Sequence, residues 1–579
     1  MNQIRTFLII AWAMLAFLLW QAWQADHAVP VPATISAARA TDAGIPLPPN
    51  AASDPIANAS VPAIPSIPTT TPAATATTAV TQLPSAPPVM LSNDLLRLQI
   101  DPRGASVVGA ELLTYGQTGD RNSPPVKLLD ADPAHYFVAE SGLLSQGGAA
   151  APNHEALYQL DTAASGVPAR DFVLPRGANQ IEVPFVWSDP SGISVRKTYV
   201  LMRGSYAITV KEEIRNGSSA PWIGYDYRQL QRVPPVFAKN GGMTNPETYS
   251  FAGAAWYSPQ DKFEKRKFAK FDEPVNKTVT GGWIAMLQHY FLAAWIPSPH
   301  DAAHFSIATV DAAGTPHYLI REVGPALQIP AGASRSTEAR LYIGPKLQEK
   351  LPAIAPGLGL AVDYGMFTLI AGPLYWVLSK LHWLLGNWGW AIVALVVLLK
   401  IALYKLSEAQ YRNMAKMRAL QPRLEALKQR YGEDKQQYNM AMMDLYKKEK
   451  VNPAGGCLPA LIPIPIFLAL YWVLIESVEL RHAPWVGWIH SLTDKDPYFI
   501  LPALNMLIMF ATQRLSPTPG MDPMQKRMMQ IMPLAFGIMF AFFPAGLVLY
   551  YVCNGGLGLL QMWWLLRQHG GVAKPAKAV

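Results

Sequence analysis

The sequence predicts a multi-domain protein with an α-helical polytopic membrane core of six transmembrane helices and a large all-β sandwich domain on the outer side of the membrane. Two observations support this class. Apolar runs long enough to cross a bilayer occur at the N-terminus and repeatedly after residue 385, whereas residues 91–350 contain none. Charged residues make up only 15% of the 579 residues, which is low for a soluble protein.

The charge pattern also indicates a membrane protein. The formal net charge is +8, and Lys and Arg concentrate beside the apolar segments, as the positive-inside rule requires. The two cysteines, Cys457 and Cys553, form no CxxC motif and are too few for a disulfide framework. We therefore expect no cofactor, no metal and no specific nucleic-acid partner.

The N-terminal 90 residues divide into two parts. Residues 1–25 are apolar after Arg5 and long enough to span, so we favour a retained signal anchor with its N-terminus inside; a cleaved signal peptide is the alternative. Residues 26–90 are rich in Ala, Pro and Thr with few large apolar side chains. This composition predicts a disordered tether.

Residues 91–350 show strand patterns. Residues 208–214 largely alternate between apolar and polar, and residues 193–201 precede them across an Arg203-Gly204-Ser205 turn, which predicts a hairpin. Other β-rich runs lie at 181–187, 304–310 and 317–323. The domain carries no zincin, GxSxG or P-loop motif, so the sequence does not predict an enzyme. The basic run at 262–270 is compatible with nucleic-acid binding, but we favour a solvated loop face.

The first span of the core carries an unusual charge. Residues 351–385 predict an amphipathic interfacial helix, and residues 386–406 predict a transmembrane helix containing Lys400. An intramembrane Lys marks a functional site by default. However, five residues of helix rise only about 7.5 Å, so Lys400 can also snorkel to the water that Lys405 meets. The helix alone leaves both readings open.

Residues 407–454 predict a cytoplasmic basic helical hairpin, with one amphipathic helix before Gly432 and a second after it. Residues 407–451 contain ten basic and six acidic residues. This excess predicts contact with an acidic partner, a ribosome or a targeting receptor. The contact residues we assign are Arg412, Lys416, Arg418, Arg423, Lys428 and Arg430.

The remaining chain predicts four more spans, at 455–478, 497–515, 528–543 and 547–566. A periplasmic loop at 479–496, a cytoplasmic loop at 516–527 and a basic tail at 567–579 complete the core, and the Phe543-Pro544-Ala545-Gly546 turn separates the last two spans. The Lys and Arg distribution places both termini in the cytoplasm and the β domain in the periplasm of a two-membrane cell.

Polar side chains interrupt these spans. Asn505, Asn554 and Gln561 are compatible with interhelical hydrogen bonding alone. Only Glu476 is available within the membrane to neutralise Lys400, and it lies toward the opposite face. A cation without a buried partner implies local water, and thus a hydrated cavity in the inner half of the bilayer.

The last 220 residues resemble the YidC/Oxa/Alb family of membrane protein insertases, and the whole layout is similar to its Gram-negative members. The resemblance is carried by residues 386–389 (GNWG), 415–418 (AKMR), 420–422 (LQP), 450–453 (KVNP), 455–457 (GGC), 465–471 (PIFLALY), 522–525 (DPMQ) and 543–551 (FPAGLVLYY). The anchor, tether and β domain match by layout only.

The resemblance implies a non-enzymatic insertase and chaperone of the inner membrane, whose cationic hydrophilic groove opens to the cytoplasm and the lipid. The implied groove residues are Lys400, Tyr404, Asn505, Tyr550, Tyr551, Asn554 and Gln561. The implied apolar slide consists of Phe467, Leu470, Tyr471, Met532, Phe536 and Met539. Nascent integral membrane proteins, the lipid bilayer, and the Sec translocon with its accessory subunits are the implied partners; the insertase is expected to act alone or with Sec.

Three positions depart from the family pattern. Lys400 stands where the family usually has Arg, Lys405 where Pro is common, and Glu476 where a small residue is usual. Two other classes of function remain possible. A secondary transporter would use Lys400 and Glu476 as a coupled ion site, but the chain shows no internal repeat. A scaffold would need only an anchor and would not require Lys400 or Asn554.

Overall fold

A computed structural model describes residues 87–120, 122–162, 170–235, 250–312, 314–431, 434–449, 463–515 and 523–569. The predicted anchor and nearly all of the predicted tether lie outside these residues, as do Gly432, Cys457 and residues 516–522 of the loop predicted at 516–527. Within them, a β domain of two sheets precedes a helical core.

The β domain is a sandwich, as predicted. Its first sheet has ten strands in the order β14-β17-β18-β11-β5-β3-β2-β1-β7, with β4 paired to β3, and its second has nine in the order β13-β12-β15-β16-β19-β10-β9-β8-β6. Pairing is antiparallel except between β1 and β7. The strands are β1 Val89–Ser92, β2 Leu96–Asp101, β3 Ser106–Gly116, β4 Pro125–Leu129, β5 Phe137–Ser145, β6 Gln159–Leu160, β7 Asp171–Val173, β8 Gln180–Ser188, β9 Ile193–Met202, β10 Ala207–Asn216, β11 Trp222–Arg232, β12 Gly253–Ser258, β13 Lys262–Lys267, β14 Asn276–Thr280, β15 Trp283–Leu287, β16 Phe291–Ile296, β17 Ala302–Ala312, β18 Thr315–Ile329 and β19 Ser334–Pro345.

The predicted hairpin is confirmed. Strands β9 and β10 pair antiparallel with Leu201 opposite Ile208, and Gly204 in the turn has a φ of +69°. Along β10 buried and accessible side chains alternate, because one face packs into the sandwich. Glycine adopts this left-handed backbone conformation without a Cβ clash, which explains the tight connection.

Strands β15 and β16 form a continuous apolar centre that the sequence patterns did not identify. All five residues of β15 and all six of β16 are buried. Such strands show no alternation between apolar and polar residues, so period-two analysis misses them. The basic run at 262–270 is likewise not a loop: β13 occupies most of it, and Lys265 pairs with Asp363.

The helices are α1 Leu351–Ile354, α2 Thr368–Leu385, α3 Trp388–Ala402, α4 Tyr404–Ala419, α5 Gln421–Tyr431, α6 Lys435–Lys448, α7 Pro463–Glu476, α8 Ile500–Leu515, α9 Pro523–Phe540 and α10 Ala545–His569. Helix α2 packs against α3 and α7, while Trp376 and Trp383 are exposed. Helices α5 and α6 pack around Leu424 and Tyr446 and form a helical hairpin.

The GNWG motif makes the sharp connection between α2 and α3. Gly386 ends α2 with a φ of +67°, and its N–H donates to His382 O at 2.8 Å. The Asn387 side chain caps α3 by accepting from Trp390 N at 3.1 Å. Gly389 lies against Trp485 so closely that an added Cβ would be 2.1 Å from the indole ring.

The helix predicted over 386–406 ends earlier than expected. Helix α3 stops at Ala402, and residues 404–410 of α4 continue at an angle of 63° to it. This bend lies at Leu403, three residues after Lys400. Lys400 and Lys405 are therefore on two differently oriented helices.

Among the described residues, one helix segment, Ala545–Leu565, is long and apolar enough to cross a membrane by itself, and the bent α3–α4 pair qualifies if it is one span. Three shorter apolar segments are Pro465–Glu476, Ile500–Leu515 and Gln530–Phe540. The count of six spans stays a prediction.

Candidate functional site

A small polar cavity lies between α3, α4, α7 and α10. Its volume is about 50 Å³, and it is lined by Val396, Leu399, Lys400, Leu403, Ser407, Ile466, Tyr550 and Asn554. Half of these side chains are apolar and half carry a polar group. A space of this size is large enough for water, because a cavity needs only roughly 10–15 Å³ to hold one molecule.

Lys400 supplies the charge of this cavity. It lies in the last turn of α3, where the partial negative charge of the helix C-terminus stabilises a cation. Among the described residues, no carboxylate lies within 4.0 Å of its ammonium group. The nearest acid in the sequence, Glu408, instead contacts Lys405 at 3.7 Å and Arg412 at 2.9 Å.

Lys400 and Lys405 have different environments in the structure, a point that the sequence alone left open. The Lys405 side chain is 91% exposed and lies beyond the bend. Lys400 is only partly exposed and faces the cavity together with Tyr550 and Asn554. The two side chains therefore occupy different environments.

The predicted groove residues are not all gathered in this cavity. Tyr551 turns away, with its ring 4.7 Å from Phe467 and 4.5 Å from Phe540. Asn505 is buried on α8 with its amide nitrogen 3.9 Å from Met509 Sδ. Tyr404 and Gln561 are half-buried and do not line this space.

The predicted slide residues lie on α7 and α9 in two environments. On α7, Leu470 is fully buried, whereas Phe467 and Tyr471 are half-buried. Met532, Phe536 and Met539 on α9 are 43%, 40% and 41% exposed. Helix α9 thus presents a flexible, thioether-rich apolar face, and thioether side chains adapt to many apolar partners.

Most of the predicted cytoplasmic contact residues are exposed on α4 and α5. Arg412 pairs with Glu408 at 2.9 Å, and Arg423 with Glu449 at 2.6 Å. Lys416, Lys428 and Arg430 are exposed, whereas the side chain of Arg418 lies outside the described structure. The hairpin therefore has cations that its own acids do not neutralise.

One feature of the site was not predicted. Ser407 lines the cavity because the bend at Leu403 changes the direction of α4, which no local pattern reveals. Glu476 lies away from Lys400, as the sequence indicated. It ends α7 at the far side and accepts a hydrogen bond from Ser250 Oγ at 2.8 Å. A coupled Lys400–Glu476 ion site is therefore not formed. In addition, the described residues contain no cluster of three metal-ligating side chains.

Comparisons with known proteins match this architecture. The family model of the YidC periplasmic domain matches residues 88–377, and that of the 60Kd inner membrane protein matches residues 380–571. Membrane protein insertase YidC of Stenotrophomonas maltophilia (strain R551-3) is 49% identical over 585 residues, covering 100% of this chain and 98% of its own. That of Xanthomonas axonopodis pv. citri (strain 306) is 51% identical over 591 residues, covering 100% and 99%.

A solved structure titled "Active YidC insertase crystal structure with the first transmembrane domain resolved" is 17% identical, with a TM-score of 0.37, over 83% of this chain and 92% of that chain. The β sandwich, the helical core and the two family models together define an inner-membrane protein with a periplasmic domain. The chain belongs to the YidC family of membrane protein insertases. It acts on nascent membrane proteins as a non-enzymatic insertase and chaperone.

Proposed function

We propose that the cavity around Lys400 is part of a cationic hydrophilic groove that receives the polar segment of a nascent membrane protein. The main support is the environment of Lys400, which lies among apolar helices beside the hydrogen-bonding groups of Tyr550 and Asn554. Among the described residues, no carboxylate lies within ion-pair distance of it. An incoming polar or acidic segment loses part of its hydration in the bilayer. A cation and bound water replace that hydration and lower the cost of entry.

The client's apolar segment leaves along α7 and α9 in this proposal. Phe467 and Tyr471 on α7 and the exposed Met532, Phe536 and Met539 on α9 are the contact residues, and Leu470 supports them from within. Tyr404, Asn505, Tyr551 and Gln561 extend the groove beyond the described cavity. No nucleotide or cofactor takes part.

The topology we propose has six spans with both termini in the cytoplasm. Two observations support it. Exposed cations on α4 and α5 follow the bend after α3. The β domain contacts the Ile475–Glu476 end of α7, whereas Ile466 near the other end lines the cavity. The exposed cations of α4 and α5 are then available to a ribosome or targeting receptor. The Sec translocon and its accessory subunits are further partners, with the insertase acting alone or beside them.

Site-specific crosslinking tests the groove. A photoreactive residue at position 400 should crosslink to a stalled nascent membrane protein through its polar segment. The matched control is position 397, on the same helix but with an exposed outer side chain; there, crosslinks should go to the apolar segment or to lipid. Equal labelling of the polar segment from both positions would contradict a groove at Lys400.

A further inference from the structure

The outer end of α7 is joined to the β domain by buried polar contacts. Helix α7 ends at Glu476, whose carboxylate is buried, with 3% of the residue exposed. The chain then continues through a short 3-10 turn, Val478–Leu480, to Arg481. Polar contacts join this stretch, and Ile475 before it, to residues of the β domain and of the segment that directly follows β19.

Glu476 has two partners from the domain side. Ser250 Oγ donates to Glu476 Oε1 at 2.8 Å. Lys346, which directly follows β19 and is 2% exposed, lies close enough that its charge and that of Glu476 stabilise each other. Burying either charge without the other would be costly, so each charge favours the ionised form of the other group.

The residue before Glu476 is held as well. His289, in the turn between β15 and β16, is buried, and its Nε2 donates to Ile475 O at 3.0 Å. The last carbonyls of a helix lack partners within the helix and need an outside donor. His289 supplies that donor from the β domain.

Two further residues complete the joint. Gln348 donates its backbone N–H to Glu479 Oε1 at 3.0 Å and its side-chain amide to Ser477 Oγ at 3.1 Å. Arg481 donates to Gly116 O at 2.8 Å and to Gln117 O at 3.2 Å. The outer end of α7 is thus bonded to β3, to the β15–β16 turn and to the residues after β19.

The inner half of the same helix faces the cavity. Ile466 lines it together with Lys400, and Phe467 packs on Tyr551 at 4.7 Å. Ten residues separate Ile466 from Glu476, a rise of about 15 Å along one helix. Because a helix is stiff over this length, a displacement of its outer end also displaces the residues beside the cavity.

We propose that Glu476 is a positioning residue for membrane insertion: by its hydrogen bond with Ser250, beside the contacts of Ile475, Ser477 and Glu479, it fixes the outer end of α7 to the β domain. It thereby sets the positions of Ile466 and Phe467 beside the Lys400 cavity. This gives the periplasmic domain a mechanical role in the core. The inference rests on the proposed groove function of that cavity.

Charge-swap variants of the full chain test the pair. Glu476→Gln keeps an acceptor for Ser250 but removes the carboxylate that stabilises the buried Lys346 charge most, ahead of Asp363. Client insertion at matched protein level should therefore fall about tenfold. The double variant Lys346→Met/Glu476→Gln removes both charges and should return to within about twofold of wild type. Crosslinking from position 467 to a stalled nascent chain should fall and recover in parallel, which a change in protein amount alone would not produce.

Glu349→Gln is the matched control. Glu349 also accepts a serine hydroxyl, from Ser379 at 2.7 Å, and lies three residues from Lys346, but its side chain is 64% exposed. Exposed charges contribute little, so this variant should insert clients like wild type. A Glu349→Gln defect equal to that of Glu476→Gln would overturn the inference.

The results for Glu476→Gln, the double variant and Lys400→Ala together decide whether Glu476 has the positioning role. Wild-type insertion and crosslinking by Glu476→Gln, or a double variant as slow as the single one, overturns the positioning role. Should Glu476→Gln fail to accumulate, the double variant decides alone: insertion within about twofold of wild type supports the role, and a tenfold loss at normal protein level overturns it. Lys400→Ala, assayed alongside, separates the two proposals, because its defect reports on the groove whatever Glu476→Gln does.

Discussion

Lys400 and Lys405 show how a bend decides the role of a residue. Five positions apart on a straight helix, they would share one environment, but α3 ends at Ala402 and the chain turns by 63°. Lys405 is consequently exposed beside Glu408, whereas Lys400 lines the cavity with Tyr550 and Asn554. The usual family cation is an Arg; a Lys retains the charge but not the planar fork of donors.

His289 makes the protein's stability depend on pH. The pKa of His289 is lowered to about 3, mainly by burial, with the positive charges of Lys346 and Arg481 adding to it and the hydrogen bond to Ile475 O opposing it. The ordinary value is about 6.5. A lowered folded-state pKa gives stability that is complete above pH 6.5 and is lost as the pH falls toward 3.

The change that tests this is His289→Gln, which keeps a side-chain N–H donor but does not titrate. Between pH 7.5 and 4.5, wild type should lose about 2–3 kcal/mol more in its free energy of unfolding than the variant does. Chemical denaturation in detergent at both pH values measures the difference. Parallel losses in the two proteins would show that His289 is not held neutral.

Gly389 is required by the close approach of Trp485. An added Cβ would be 2.1 Å from the indole ring, so Gly389→Ala should cost about 1–3 kcal/mol through overpacking. Gly556→Ala is the control, because a Cβ there meets only Ile508 Cδ1 at 3.7 Å and alanine is the better helix former. Thermal unfolding in detergent compares the two, and equal melting temperatures would refute the packing argument.

At the scale of elements, the α5–α6 hairpin is a small unit with its own contacts. Leu420, Leu424 and Tyr446 are buried between its helices, and the Arg423–Glu449 ion pair joins them. Few core residues are shared with the remaining helices. Its exposed cations therefore contribute little to the packing of the core, in keeping with the partner contact proposed above.

Deletion of residues 421–446 should leave the protein integrated in the membrane but impair insertion of its clients. Integration needs only a few cations near the span ends, and Lys405 and Arg412 remain. Membrane fractionation measures the first effect and client insertion the second. Normal client insertion by the deletion variant would reduce the hairpin to a topology signal.

At the scale of the whole molecule, the sequence patterns predicted the two-part architecture but not the fully buried strands or the long-range contacts between side chains. The β9–β10 hairpin followed from alternation and a glycine turn, whereas β15 and β16 were missed because they are buried on both faces. Lys400 and Asn554 could be identified from the sequence as polar residues within apolar spans. That both line one cavity could not be predicted, because it depends on packing between α3 and α10. The partner of Glu476 is 226 positions away, beyond any local pattern.

The proposed topology can be tested on the intact chain. Single cysteines introduced between residues 81 and 89 should react with a membrane-impermeant thiol reagent added outside sealed cells whose outer membrane has been permeabilised. A cysteine at position 436, at the start of α6, should not react until the inner membrane is opened. Reaction at position 436 in sealed cells would contradict six spans with an inside N-terminus.

The most direct test of the central claim is client insertion as a function of acidic residues in the translocated tail, compared among wild type, Lys400→Arg, Lys400→Ala, Lys400→Glu and Lys400→Leu at matched protein levels. Lys405→Leu is the control, because its side chain lies outside the cavity. The cavity account predicts that Lys400→Arg and Lys405→Leu insert every client normally. It predicts that Lys400→Ala, Lys400→Leu and Lys400→Glu show a defect that grows with each added acidic residue, because removing the cation leaves the incoming negative charges without compensation. Wild-type insertion by Lys400→Leu for acidic and neutral tails alike would contradict it.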